Sequence, residues 1–200
     1  PKPSSAASDV YKRQQLYKAS RVGLIRVSGR FLGGLGQMIE GHQIQQRLES
    51  AGHQLVLAES CTAGLIAATL ARTPGMSRCL CGSLVVYQIA SKQVWLGLAD
   101  GVVNESNVVS REVALLMAEG ALRQTPQATV SLAITGHLGP GAPTGLDGVA
   151  WLGVSFRGGA SFAECLQLPE TYPAGFESLR AWRQESAVGS ALACLLRHLG

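Results

Sequence analysis

The sequence predicts an α/β protein, a single three-layer α/β/α sandwich around a mixed sheet. Three observations carry that expectation. The 200 residues are 46% hydrophobic and 15% charged, enough to bury one sizeable core. Short apolar runs at 54–58, 82–87 and 128–135 read as strands, and segments with apolar residues at helical spacing lie before, between and after them. Two further runs, 149–156 and 160–168, form a hairpin about Arg157-Gly158-Gly159 before a long Ala/Leu-rich helix, so helices must cover both faces of the sheet.

In order, residues 1–34 are rich in Ser, Gly, Lys and Arg without sustained periodicity, and are expected to be a flexible leader. Its stretch SSAASDVYKRQ reads as introduced by cloning or assembly, so part of the leader is taken as non-native. The domain is placed at 35–200. Leu35, Met38, Ile39 and Leu48 mark a helix over 35–51 that Gly52 ends. After the first strand, a helix is expected from Ser60 to about Arg72, where Thr73-Pro74-Gly75 stops it. A short helix at 90–98 follows the second strand, and Ser110 caps a helix over 111–123 that ends before Pro126. Residues 136–148 hold five glycines and two prolines in a loop too long for a plain connection, a length commonly put to functional use. The closing helix is expected over 176–199.

Composition narrows the function. No apolar run is long enough to span a membrane and no secretory signal core is visible, so no membrane partner and a cytoplasmic location are expected. The net charge of +4 comes largely from the leader, and no basic run is interleaved with aromatics, so no nucleic-acid partner is expected. Cys61, Cys79, Cys81, Cys165 and Cys194 form no CxxC pair, and His42, His53, His137 and His198 form no HExxH. Reduced thiols and no metal follow. The apolar balance favours a homo-oligomer.

The candidate chemistry sits at the strand ends: Ser60 after the first, Tyr87 after the second with Lys92 just beyond, and Thr135 after the third. Ligands of open α/β sheets bind off the carboxyl ends of strands, so these groups are expected to meet in one crevice. Together they suggest a Ser–Lys hydrolase. A serine hydroxyl needs a base, and lysine serves once burial lowers its pKa from about 10.4 towards 7 or 8. Tyr87 is expected to relay a proton or hold Lys92, and the N–H groups of residues 61–64 to meet the oxyanion. The same residues also fit a plain N-cap, a rim tyrosine and a solvated lysine. Cys61 is a rival nucleophile with no histidine placed to activate it.

Three stretches, AESCTAGLIAATLARTPGMS, VVYQIASKQVWLGL and AITGHLGPGAPTG, occur in that order, and with them the chain from about Glu40 onwards resembles the C-terminal domain of the competence/damage-inducible CinA family. That domain also occurs as a stand-alone nicotinamide mononucleotide deamidase. The resemblance implies hydrolysis of the nicotinamide mononucleotide carboxamide to nicotinic acid mononucleotide and ammonia, without a metal or other cofactor. It assigns Ser60 as nucleophile, Lys92 as general base and Tyr87 as the tyrosine of a YxxxxK pattern. Glu59 and Thr62 match the family's polar residues around the serine, and Thr135, Gly136 and Gly139 its glycine-rich loop, implied to help enclose the nucleotide; Cys61 and Gly64, at the turn beside the serine, are also expected to bind substrate. Arg183, with Arg180 second, is matched to an arginine that meets phosphate or ribose.

This chain departs from the family at Ala63, where a glycine is usual, and at His137-Leu138 and Leu146-Asp147 in the loop. The alanine is expected to be mild because it favours helix. The loop changes bear on the substrate. The alternatives are therefore a non-catalytic nucleotide-binding module and a Ser–Lys amidase for another small amide. Longer family members carry a nucleotide-pyrophosphatase domain, which these 200 residues are not expected to include.

Overall fold

The computed structural model describes residues 24–26 and 35–200. Within them β1 (Leu24–Arg26), β2 (Leu55–Glu59), β3 (Leu80–Val85), β4 (Val130–Gly136), β5 (Val149–Phe156) and β6 (Ser161–Gln167) form one sheet, ordered β1-β6-β5-β4-β2-β3. β2 is parallel to β3 and β4, β5 is antiparallel to β4 and β6, and β1 is parallel to β6. The sheet is therefore mixed, as the sequence predicts. The helices are α1 (Leu35–Ser50), α2 (Leu65–Ala71), α3 (Ile89–Leu96), α4 (Arg111–Gln124) and α5 (Leu179–His198).

Side-chain alternation along β2 sorts the layers. Leu55 and Leu57 pack with Ile44 and Leu48 of α1, Ile66 and Leu70 of α2, and Ala191 and Leu195 of α5. Val56 and Ala58 point the other way, onto Leu96 of α3 and Val113 and Met117 of α4. Burial on both faces is why β2 reads as an apolar run up to Ala58 and why β4 is apolar but for Ser131 and Thr135, whose buried hydroxyls donate to the Ala118 and Val108 carbonyls. On the α4 side the approach is close, since a Cβ on Gly153 of β5 would lie 2.3 Å from the Ala114 carbonyl oxygen.

Several expectations change. Residues 24–26 of the expected leader form β1, paired to 165–167 of β6, while the rest of that leader lies outside the described residues. The helix placed at Ser60 begins only at Leu65. Residues 60–64 are instead a turn, in which Ala63 (φ 53°) and Gly64 (φ 97°) both enter the left-handed region. The expected Ser110 cap is present, and the closing helix starts at Leu179 and not at 176, on an unexpected Ser178 cap. Ser110 Oγ accepts from Val113 N at 3.2 Å and Ser178 Oγ from Ala181 N at 3.1 Å, the latter starting α5 at Leu179.

Candidate active site

β2 and β4 are parallel neighbours, so their carboxyl ends open on the same side, and the Ser60 N–H donates to the Ile134 carbonyl at 3.1 Å to fix the turn against β4. Here lies a pocket of about 240 Å³. Ser60, Cys61, Tyr87, Lys92, Thr135, Gly136, Gly139 and Arg180 are among the residues that line it. Of the predicted site residues, Glu59, Thr62, Gly64 and Arg183 stand behind the wall instead.

Lys92 lies in the first turn of α3 and is 0% exposed. Its Nζ has three neighbours: the Val86 carbonyl at 2.8 Å, Ser60 Oγ at 2.9 Å and the Tyr87 carbonyl at 3.3 Å. Carbonyls can only accept. A neutral amine therefore gives its two N–H bonds to them and turns its lone pair to the Ser60 hydroxyl, which then donates. Burial penalises the ammonium and lowers the Lys92 pKa to about 8, and the positive end of α3 acts in the same direction. The arrangement can take a proton from Ser60.

Tyr87 holds Lys92 with its main chain, not its ring. The ring is 53% exposed, and its hydroxyl accepts from Arg180 Nη2 at 2.6 Å. The expected phenol relay therefore has its hydrogen bond directed to Arg180 and away from the Ser–Lys pair. Cys61 is buried, and burial pushes its thiol up to about 12, so the rival nucleophile stays protonated.

Glu59, matched to substrate binding, is a clamp. Its fully buried carboxylate accepts from Thr62 Oγ1 at 2.8 Å, from the Gly64, Ile66 and Ala67 N–H groups at 3.0 Å each, and from Ser83 Oγ at 3.0 Å. The negative group at the start of α2 satisfies the donors that a helix leaves open. Thr62 and Gly64 belong to that clamp. Two of the four N–H groups expected to be bare are thus taken, Gly64 N by Glu59 and Ala63 N by the Ser60 carbonyl at 3.0 Å. Cys61 and Thr62 remain as the turn's N–H donors for which no acceptor is seen among the described residues. Gln184 Nε2 donates to the Cys61 carbonyl at 3.0 Å and ties the turn to α5.

The order of the two arginines reverses. Arg183 is 2% exposed, paired with Asp147 through Nη1 at 3.0 Å and Nη2 at 2.8 Å, and donates to the Leu138 and Pro169 carbonyls. Its guanidinium is spent on the loop. This pair also explains the unusual Asp147, whose carboxyl Arg183 holds below the usual range. Arg180 is the arginine at the pocket, donating to the Gly139 carbonyl at 2.7 Å as well as to Tyr87. Thr135 Oγ1 donates to the Val108 carbonyl at 2.7 Å, and Gly136 makes room, since a Cβ there would lie 2.6 Å from Ala150 Cβ and 3.1 Å from Cys61 Sγ.

Sequence reasoning missed part of the lining. Val108 and Val109 come from the connection between α3 and α4, which carries no motif. His137 also lines the pocket, and burial lowers its pKa and so favours the neutral ring. Its one visible signal is its place two residues beyond Thr135.

The family model of the CinA C-terminal domain matches residues 39–199. The chain belongs to the CinA C-terminal domain family. A CinA-like protein of Myxococcus xanthus is 42% identical over 106 residues, 53% of this chain and 25% of the relative. One of Chlorobium phaeovibrioides is 35% identical over 141 residues, 70% of this chain and 33% of the relative. The chain thus spans between a quarter and a third of the length of these two curated CinA relatives. Among solved structures, the competence/damage inducible protein CihA from Agrobacterium tumefaciens superposes with a TM-score of 0.72 at 28% identity, over 84% of this chain and 98% of that one. A CinA superfamily protein from Escherichia coli gives 0.72 at 27%, over 84% and 94%. The CinA assignment agrees with the α/β fold, and no helix among the described residues is long and apolar enough to cross a membrane.

Proposed function

We propose that this CinA-family chain is an amidohydrolase that converts nicotinamide mononucleotide to nicotinic acid mononucleotide and ammonia through an acyl-enzyme on Ser60. The observation that carries the proposal is the buried Lys92 amine, held by two carbonyls and 2.9 Å from Ser60 Oγ. Ser60 Oγ attacks the carboxamide carbon as its proton passes to Lys92 Nζ. The Cys61 N–H lies at the turn that lines the pocket beside Ser60, where the oxyanion forms. Collapse breaks the C–N bond, and the departing nitrogen takes the proton from Lys92 and leaves as ammonia. Water then attacks the ester, gives its proton to Lys92, and the carboxylate departs as Ser60 regains its hydrogen. Arg180, the pocket's guanidinium, suits the phosphate of the substrate. The choice of nicotinamide mononucleotide rests on the family resemblance.

Ammonia release from nicotinamide mononucleotide by the purified protein tests the reaction, with Ser60→Ala and Lys92→Ala each expected to lower kcat by several orders of magnitude, because nucleophile and base act as a unit. A Ser60→Ala protein that keeps its activity overturns the mechanism. Tight nucleotide binding without turnover supports a non-catalytic module instead, and turnover of other small carboxamides but not this one supports an amidase of different substrate.

A further inference from the structure

The opposite end of α5 carries a second cluster, roughly 20 Å along the helix axis from Arg180. Cys194 and His198 are four residues apart, one above the other on one face of α5. Glu164 of β6 shares a sheet face with Leu166, which packs in the core layer beneath α5. Their three donor atoms, a thiol sulfur, an imidazole nitrogen and a carboxylate oxygen, lie within 4.8 Å of one another.

Several details distinguish this cluster from an ordinary ion pair. His198 Nε2 lies 3.4 Å from Glu164 Oε1, yet it is buried without a hydrogen-bond partner. A buried polar atom in that state asks for an explanation. The ring plane is fixed by stacking on Phe162, with centroids 4.3 Å apart and an interplanar angle of 20°. Arg197 Nη2 donates to Glu164 Oε2 at 2.5 Å, and the Cys194 thiol is also hydrogen-bonded to the Glu164 carboxylate. Cys194 is buried at 1% exposure. The last turn of α5 presents the negative end of its dipole, which favours a cation.

We propose that Glu164, Cys194 and His198 bind a divalent transition metal of the zinc class, cross-linking β6 to the last turn of α5. A thiolate, an imidazole and a carboxylate form a borderline-soft set that selects zinc or cobalt(II) over magnesium or calcium. The 3.4 Å separation of His198 Nε2 and Glu164 Oε1 also fits one edge of a tetrahedron built on bonds of about 2.0–2.1 Å. When the metal–sulfur bond forms, the thiol proton leaves to solvent, and a water completes the four-coordinate site. The cross-link serves the fold and is separate from the Ser60 pocket.

Cobalt(II) titration of the full, chelator-treated protein tests this. The expected result is one equivalent bound, with a thiolate-to-cobalt charge-transfer band in the near ultraviolet, intense four-coordinate visible bands, and displacement of both by zinc. Cys194→Ser is expected to abolish the charge-transfer band, whereas Cys81→Ser, as a control at another cysteine, retains it. His198→Ala and Glu164→Gln, at partly exposed positions, are each expected to weaken zinc by more than about tenfold. Absence of stoichiometric binding, a band that survives Cys194→Ser, or unchanged zinc affinity in both His198→Ala and Glu164→Gln would overturn the site. If Cys194→Ser does not fold, the latter two variants decide. No readout is amide hydrolysis, so this outcome is independent of the proposed reaction.

Discussion

Lys92 sits between two carbonyls and a hydroxyl, and the pH at which it loses its proton sets the acid limb of the rate. Burial lowers its pKa to about 8, so near pH 7 only about a tenth of the molecules carry the neutral amine. The expected kcat/KM rises about tenfold per pH unit below that value and levels off above it. A pH–rate profile with no such limb between pH 6 and 9 rules out Lys92 as the base. The two arginines give a second contrast. Arg180→Ala removes a charged hydrogen-bond donor from the pocket, so KM should rise by about 10- to 100-fold with a smaller change in kcat. Arg183→Ala instead strips the Leu138 and Pro169 carbonyls of a donor and frees Asp147, and should appear in thermal unfolding as a loss of about 2 kcal/mol or more. Ala63, expected to be mild as a helix former, is not in a helix, and at φ 53° it costs roughly 1 kcal/mol that a glycine would not.

At the level of the element, α2 begins where Glu59 lets it begin. Glu59→Gln keeps the shape, loses the charge, and sets an NH2 against groups that are themselves donors. Urea unfolding should show a loss of about 3 kcal/mol, and kcat should fall because the Ser60 turn loses its anchor. Unchanged stability would mean the five donors do not depend on the charge. Much of this unit was legible in the sequence. An apolar run followed by Ser60 places a polar group at a strand end, and the same pattern before Tyr87 and Lys92 brings the two together across 32 residues. Glu59 was not legible, because a carboxylate beside a nucleophile looks the same whether it faces the substrate or the N–H groups behind it. The start of α2 was misplaced because Ala63 takes a left-handed conformation that its residue type disfavours. Arg183 was misread because its partner, Asp147, lies 36 residues away in a loop without periodicity.

Across the whole molecule, the pocket depends on how tightly the α3–α4 layer lies on the sheet. α4 approaches β5 so closely that Gly153→Ala would drive a methyl group into the Ala114 carbonyl, 2.3 Å from the new carbon. That variant should unfold with a penalty of about 2 kcal/mol or more, read as a lower midpoint in thermal denaturation. A near-neutral outcome would show that the helix can lift off the sheet at little cost. The layer arrangement itself was legible, since largely apolar runs flanked by helical segments leave few other ways to bury both sheet faces. The burial of Lys92 has one more consequence. The sequence holds four lysines, at positions 2, 12, 18 and 92, so residues 19–200 contain a single ε-amine. With its pKa near 8, that amine is nucleophilic under conditions where ordinary lysines are still mostly protonated. The site therefore carries its own covalent label: a small amine-directed reagent that enters the pocket marks one peptide, and the extent of marking counts the pockets left unfilled.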